Sequence, residues 1–271
     1  MTGSSTADIA LRIGRTAAMA LLAGTVGGAA VLAGEAVLAS NRRYAHPDPD
    51  LALRCTVGPS GAPPLRLVLL GDSSALGVGV NRVGDTVGGQ LARLLAEGAG
   101  RPGAGRREVR LSSVGVVGSR STDLATQVAR ALLGERPDVA MILIGANDAT
   151  GLRRPAESAV HLGAAVRQLR AAHVEVVVGT CPDLGAVRAI AQPLRQVAGW
   201  LGRRTADAHA EAARQAGARV VDLGAVTGPV FRADAGTLCY DGFHPSADGY
   251  RVWAHALLSA TAEAAAVTSR N

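Results

Sequence analysis

The sequence predicts an α/β fold: a three-layer α/β/α sandwich in which five parallel strands lie between two layers of helices. Short, almost uninterrupted apolar runs of strand length alternate with longer segments whose apolar residues recur at helical spacing. A strand that is apolar on consecutive residues is buried on both faces, as in a parallel sheet covered on each side by helices. The chain has 271 residues, 48% of them hydrophobic and only 3% aromatic, which suits one domain with a core of Leu, Val and Ala.

The elements follow in order. Leu65 to Leu70 (LRLVLL) is the first strand and stops at Gly71. Thr86 to Glu97 carries Val87, Leu91, Leu94 and Leu95 on one helical stripe. Val109 to Ser113 is a weaker strand, and a Gly-rich turn leads from it into a helix from about Thr122 to Leu133. Val139 to Ile144 (VAMILI) has the strongest buried-strand pattern. Ser158 to Ala172 is helical, Val174 to Gly179 a strand, and Pro193 to Gly217 a long Ala/Arg-rich helix. Ala218 to Asp222 makes the fifth strand and Ser246 to about Ala266 the last helix. Right-handed crossovers between such strands give a flavodoxin-like strand order.

Before this domain, assigned to residues 65–271, stand two other segments. Arg12 and Arg15 precede an uncharged run from Thr16 to Gly34, about 28 Å long as a helix and just sufficient for a bilayer core. Residues 1–43 are therefore expected to be a signal-anchor that holds the domain outside the cytoplasm at a membrane. A signal peptide cut after Val37-Leu38-Ala39, with secretion, is the alternative. Residues 44–64, with HPDPD and GPSGAPP, show no periodicity and are expected to form a linker or surface wrap.

Composition excludes several classes. Three cysteines do not make a disulfide scaffold. All 28 basic residues are arginine against 22 acidic ones, a formal charge of +6, but they are scattered and not interleaved with aromatic residues, so no nucleic-acid partner is expected. No His/Cys/Glu spacing suggests a metal. GDSSALGVG lacks the endings of phosphate-binding loops, so no cofactor is expected either.

In such sheets chemistry sits where the strands end. After the first strand comes Gly71-Asp72-Ser73-Ser74; after the second, Ser113 to Ser119; after the third, Gly145-Ala146-Asn147-Asp148; and before the last helix, Asp241-Gly242-Phe243-His244-Pro245. A hydroxyl, flexible backbone amides, a carboxamide and an Asp/His pair are the inventory of acyl transfer.

These four segments, in this order, resemble the four blocks of the GDSL, or SGNH, hydrolases: GDSS, SVGVVGSRSTDL, IGAND and DGFHPS. The resemblance spans about Leu65 to Trp253. It implies an esterase or lipase-like hydrolase with Ser73 as nucleophile, His244 as general base and Asp241 orienting it. It also implies an oxyanion hole made by the amides of Ser73 and Gly118 and the side chain of Asn147. A serine hydroxyl needs such a base, and a carboxylate on the far ring nitrogen fixes the tautomer. Ser74 replaces the leucine of the GDSL motif, which makes the pocket more polar and offers a second hydroxyl. The expected partner is a small-molecule or lipid ester.

Two other functions use parts of the same pattern. An acyltransferase would pass the acyl group to a sugar or lipid alcohol on the same triad. A non-enzymatic flavodoxin-like binding module would leave the Asp241/His244 pair unexplained. Asp72 is expected to brace the Ser73 turn, Asp148 to bond within its own loop, and His46, His161, His173, His209 and His255 to be surface or packing residues. Cys181 and Cys239 are expected at one sheet edge, close enough for a disulfide.

Overall fold

Leu65, Leu67 and Leu69 join one buried cluster, while Val68 and Leu70 join another on the opposite side. This two-residue period runs through the central strands of the computed structural model, which describes residues 28–39, 41–48, 51 and 54–268. The strands are β1 (Arg54–Val57), β2 (Pro64–Gly71), β3 (Glu108–Ser113), β4 (Val139–Leu143), β5 (Glu175–Gly179) and β6 (Arg219–Val221). They form one sheet in the order β1-β3-β2-β4-β5-β6. The five predicted strands are parallel neighbours in flavodoxin-like order.

The sixth strand corrects the sequence reading. Arg54–Val57 lies inside the stretch assigned as linker, yet it pairs antiparallel with β3, Arg54 opposite Ser112 and Val57 opposite Val109. Cys55 and Val57 pack on the core while Arg54 and Thr56 face outward. Four residues are too short for a periodicity to be read, and the pairing with β3 supplies their order.

The helices are α1 over residues 28–39, α2 (Val87–Ala96), α3 (Leu124–Ala131), α4 (Ala146–Thr150), α5 (Pro155–Ala171), α6 (Leu194–Gln215), α7 (Leu223–Ala233) and α8 (Ala247–Thr268). One face of the sheet is covered by α2 and α8, through Val87, Leu91, Leu95, Tyr250, Trp253 and Leu257. The other is covered by α3 and α5, through Leu124, Val128, Leu162, Val166 and Leu169. Burying each of these larger aliphatic side chains contributes about 1.5–3 kcal/mol. The sequence pattern missed α7, because two glycines and Pro229 interrupt it. Asp222 caps its start by accepting the Ala225 amide, 2.9 Å.

The chain divides into two compact units: Met1–Arg42 with Ile190–Leu194, and Arg43–Ala189 with Arg195–Asn271. In the first, Glu35 accepts the amide of Leu194 at 2.8 Å. The second carries the sheet. Among the described residues no helix is long and apolar enough to cross a membrane. Of the apolar run from Thr16 to Gly34, residues 16–27 lie outside the described residues.

Candidate active site

β2 ends at Gly71, whose φ of +139° only glycine adopts easily; a Cβ there would stand 1.8 Å from the Leu143 carbonyl oxygen. The chain then turns tightly. Asp72 accepts the Ser74 amide at 2.9 Å, and the Ser73 carbonyl accepts the amide of Val78 at 3.0 Å, so Ser73 is held at the sheet edge. Asp72 thus braces the turn as the sequence suggested. Burial pushes its carboxyl up to about 6, against the pull of the Ser74 hydrogen bonds.

From the far end of the chain, the loop before α8 delivers Asp241 and His244. Its base is closed by the Cys239 amide on the His244 carbonyl, 2.8 Å, and by a bridge between Leu238 and Pro245. His244 Nε2 lies 3.0 Å from Ser73 Oγ, and His244 Nδ1 lies 2.7 Å from Asp241 Oδ2. Since Asp241 is an acceptor, Nδ1 carries the proton and Nε2 is the free base facing the hydroxyl. Burial alone would push the Asp241 carboxyl up. The His244 ring and the amides of Ala45, Phe243 and His244 outweigh burial and hold it well below the usual carboxylate range. Ser73, 171 positions before His244, thus joins His244 and Asp241 in one hydrogen-bonded chain.

Ser73, Asn147 and His244 line one cleft of about 570 Å³, its mouth included. Ser74 is on its wall, and Pro182, Leu184, Val187, Phe231, Leu238 and Trp253 make the rest largely apolar. Asn147, in the first turn of α4, donates its Nδ2 to the Ser119 carbonyl at 3.0 Å. Gly118 does not line this cleft; it borders an adjoining depression with Ser119 and Gln127. A Cβ on Gly118 would meet nothing within 4 Å, so its left-handed φ of +76° explains the glycine.

Sequence reasoning missed Gln127. This buried α3 side chain accepts the Gly71 amide at 2.7 Å and donates to the Gly71 carbonyl at 2.9 Å and to Ser119 Oγ at 3.1 Å. It ties the end of β2 to the loop that carries Gly118 and whose Ser119 carbonyl accepts from Asn147. The signal was a glutamine on the apolar stripe of Leu124, Val128 and Ala131.

A second Ser–Asp–His constellation lies deeper. Asp148 accepts from the amide and hydroxyl of Ser121, both at 3.0 Å, bonding across loops and not within its own. His209 Nε2 is 3.4 Å from Ser121 Oγ and 3.0 Å from Ser158 Oγ. Ser158 gives its own hydrogen to the Pro155 carbonyl and Ser121 gives its to Asp148, so His209 Nε2 is the donor to both. Its buried Nδ1 has no partner. The carboxylate thus touches the serine and not the histidine, and the imidazole has no free nitrogen toward the serine. This is a structural cluster under the α4 turn, and His209, read from sequence as a partnerless packing residue, is its buried donor.

The cysteines also correct an expectation. Cys55, Cys181 and Cys239 are free thiols. Cys181 is buried with its thiol toward the Pro182 carbonyl, while Cys239 donates to Asp241 Oδ1 at 3.1 Å, so each has its own acceptor in place of a disulfide. Among the described residues no group of three or more His, Cys, Asp or Glu could hold a metal ion.

The Asp72 carboxyl makes a testable contribution to stability. Its folded value of about 6 exceeds the ordinary 3.8, so between these values the folded protein binds more proton and loses stability as pH rises. At most about 3 kcal/mol is lost in this window. Asp72→Asn removes the titration, so its melting temperature relative to the native protein should climb from pH 4 to 6 and stay level above. His209, pushed down to about 4 by burial, works in the opposite sense but is present in both proteins and cancels. A difference independent of pH, measured by calorimetry, would refute the assignment.

The sequence matches the GDSL-like Lipase/Acylhydrolase family over residues 69–252. It is 41% identical over 202 residues to the GDSL-like esterase Rv1075c of Mycobacterium tuberculosis (strain ATCC 25618 / H37Rv), an alignment covering 74% of this chain. The chain spans 62% of that relative's length. Among solved structures it resembles a catalytic mutant of Axe2, an acetylxylan esterase from Geobacillus stearothermophilus, with a TM-score of 0.52 and 22% identity over 75% of this chain and 95% of that one. TesA superposes with a TM-score of 0.57 and 20% identity, over 73% and 99% of the two chains. At these identities the structural likeness establishes the fold, and the family rests on the match in sequence: the chain belongs to the GDSL-like lipase/acylhydrolase family.

Proposed function

We propose that this protein is a serine hydrolase of carboxylic esters, working through an acyl-enzyme on Ser73. The observation that carries the reading is the chain Ser73 Oγ–His244 Nε2 and His244 Nδ1–Asp241 Oδ2 at the wall of an open apolar cleft. Ser73 Oγ attacks the ester carbonyl carbon as His244 Nε2 takes the hydroxyl proton. The tetrahedral oxyanion accepts from the Ser73 amide and from Asn147, both on this cleft. Asn147 Nδ2 carries two hydrogens; Ser119 takes one, which fixes the amide plane and leaves the other for the oxyanion. As the C–O bond breaks, the proton on His244 passes to the departing alcohol. Water then attacks the acyl group, gives its proton to His244, and the acid leaves with Ser73 re-protonated.

Asn147→Ala tests the oxyanion role on 4-nitrophenyl esters: kcat should fall about 10²–10³-fold with KM little changed. A near-native kcat would reduce Asn147 to a turn residue. Product analysis in the same assay, with and without an added polyol, separates hydrolysis from acyl transfer, since both share the acyl-enzyme. Free acid as the dominant product in both is the result this reading requires.

A further inference from the structure

We propose that the segment Tyr44–Ala45 is a positioning strap for the triad: the Ala45 backbone amide fixes the Asp241 carboxylate against His244. The inference rests on the Ser73–His244–Asp241 reading above. Asp241 Oδ1 accepts from Cys239 Sγ at 3.1 Å, from the Phe243 amide at 2.7 Å and from the His244 amide at 2.9 Å. All three donors belong to Asp241's own loop, and all three hold the same oxygen. A carboxylate held at one oxygen can still swing its second oxygen. That second oxygen, Oδ2, is the one on the imidazole, and it accepts from His244 Nδ1 at 2.7 Å and from the Ala45 amide at 2.9 Å. Ala45 thus supplies the fixed point outside the loop, from 196 residues away.

The strap is seated as well as bonded. Ala45 is buried, and the Tyr44 ring stands edge-on to Phe243 with centroids 5.3 Å apart. Phe243 in turn stands edge-on to the His244 imidazole at 5.2 Å. The segment therefore reaches both members of the Asp–His pair, one through the backbone and one through a ring. The Ala45 amide is also among the donors that outweigh burial at Asp241. A backbone N–H needs no particular side chain, so the Pro/Asp-rich composition around it hides the role.

The experiment uses full-length variants on 4-nitrophenyl acetate. Ala45→Pro deletes the N–H, and Ala45→Gly keeps it. Ala45→Pro is expected to lose about 10- to 100-fold in kcat, with KM within about twofold and a melting temperature near native. Ala45→Gly, the conservative rescue, should retain most of the turnover. A folded Ala45→Pro with native kcat, or an equal loss in both variants, overturns the strap. Should Ala45→Pro not fold, Tyr44→Ala decides: a lower kcat at constant KM, restored in Tyr44→Phe, supports it, and native kcat overturns it. Ser73→Ala is run alongside. If Ser73→Ala is inactive while Ala45→Pro is fully active, only the strap falls. If Ser73→Ala stays active, the triad reading falls and the strap with it.

Discussion

Ser73→Ala is expected to lose about 10³–10⁶ in kcat, the scale on which serine-triad enzymes respond to losing the nucleophile. A fluorophosphonate should label the native protein at Ser73 and leave the variant unlabelled. Two other hydroxyls make this a discriminating test. Ser74 shares the cleft but its amide is committed to Asp72, and the histidine base faces Ser73. Ser121 has both a carboxylate and an imidazole in reach, yet it is 1% exposed, its proton is given to Asp148, and the His209 nitrogen beside it is a donor. Peptide mapping that finds the label on Ser74 or Ser121, or a Ser73→Ala protein within tenfold of native turnover, would sink the assignment.

Asp241→Asn is expected to cost about 10⁴ in kcat, the loss known for the equivalent change in Ser-His-Asp proteases. The amide can keep its oxygen toward Cys239 and the two loop amides that hold Oδ1. Its NH₂ then occupies the Oδ2 position and confronts two donors, His244 Nδ1 and the Ala45 amide. The imidazole relieves the clash by moving its proton to Nε2, and it can no longer accept from Ser73. Kinetics on a soluble ester measure the effect, with circular dichroism to establish that the variant is folded. Turnover within about tenfold of native would mean that Asp241 is a loop brace and no more.

The two carboxylates near His244 illustrate how surroundings divide roles. Asp241 is saturated by five donors and stays ionised, whereas Asp72, buried with one backbone donor from Ser74, is pushed up to about 6. Gln127 contributes differently. By holding both backbone groups of Gly71 and the hydroxyl of Ser119, it keeps the Ser73 turn and the Ser119 loop in register. A glutamine offers a donor and an acceptor at the right separation for this, which no apolar residue on that stripe could do.

The sequence by itself determined the five parallel strands, the longer helices between them, the placing of Ser73 and Asn147 where strands end, and that of Asp241 and His244 in the loop before the last helix. Apolar runs and helical stripes are local signals, and crossover handedness then fixes which sheet edge the turns share. Tertiary structure alone decided the rest. β1 owes its order to β3, Gly118 turned out to border a neighbouring depression, and Cys181 and Cys239 each found a separate acceptor. The Gln127 clamp and the Ala45 amide on Asp241 join residues 56 and 196 positions apart. Such contacts have no period along the chain, because a side chain's partner, or a backbone amide's, is set by which loops the packed sheet brings together.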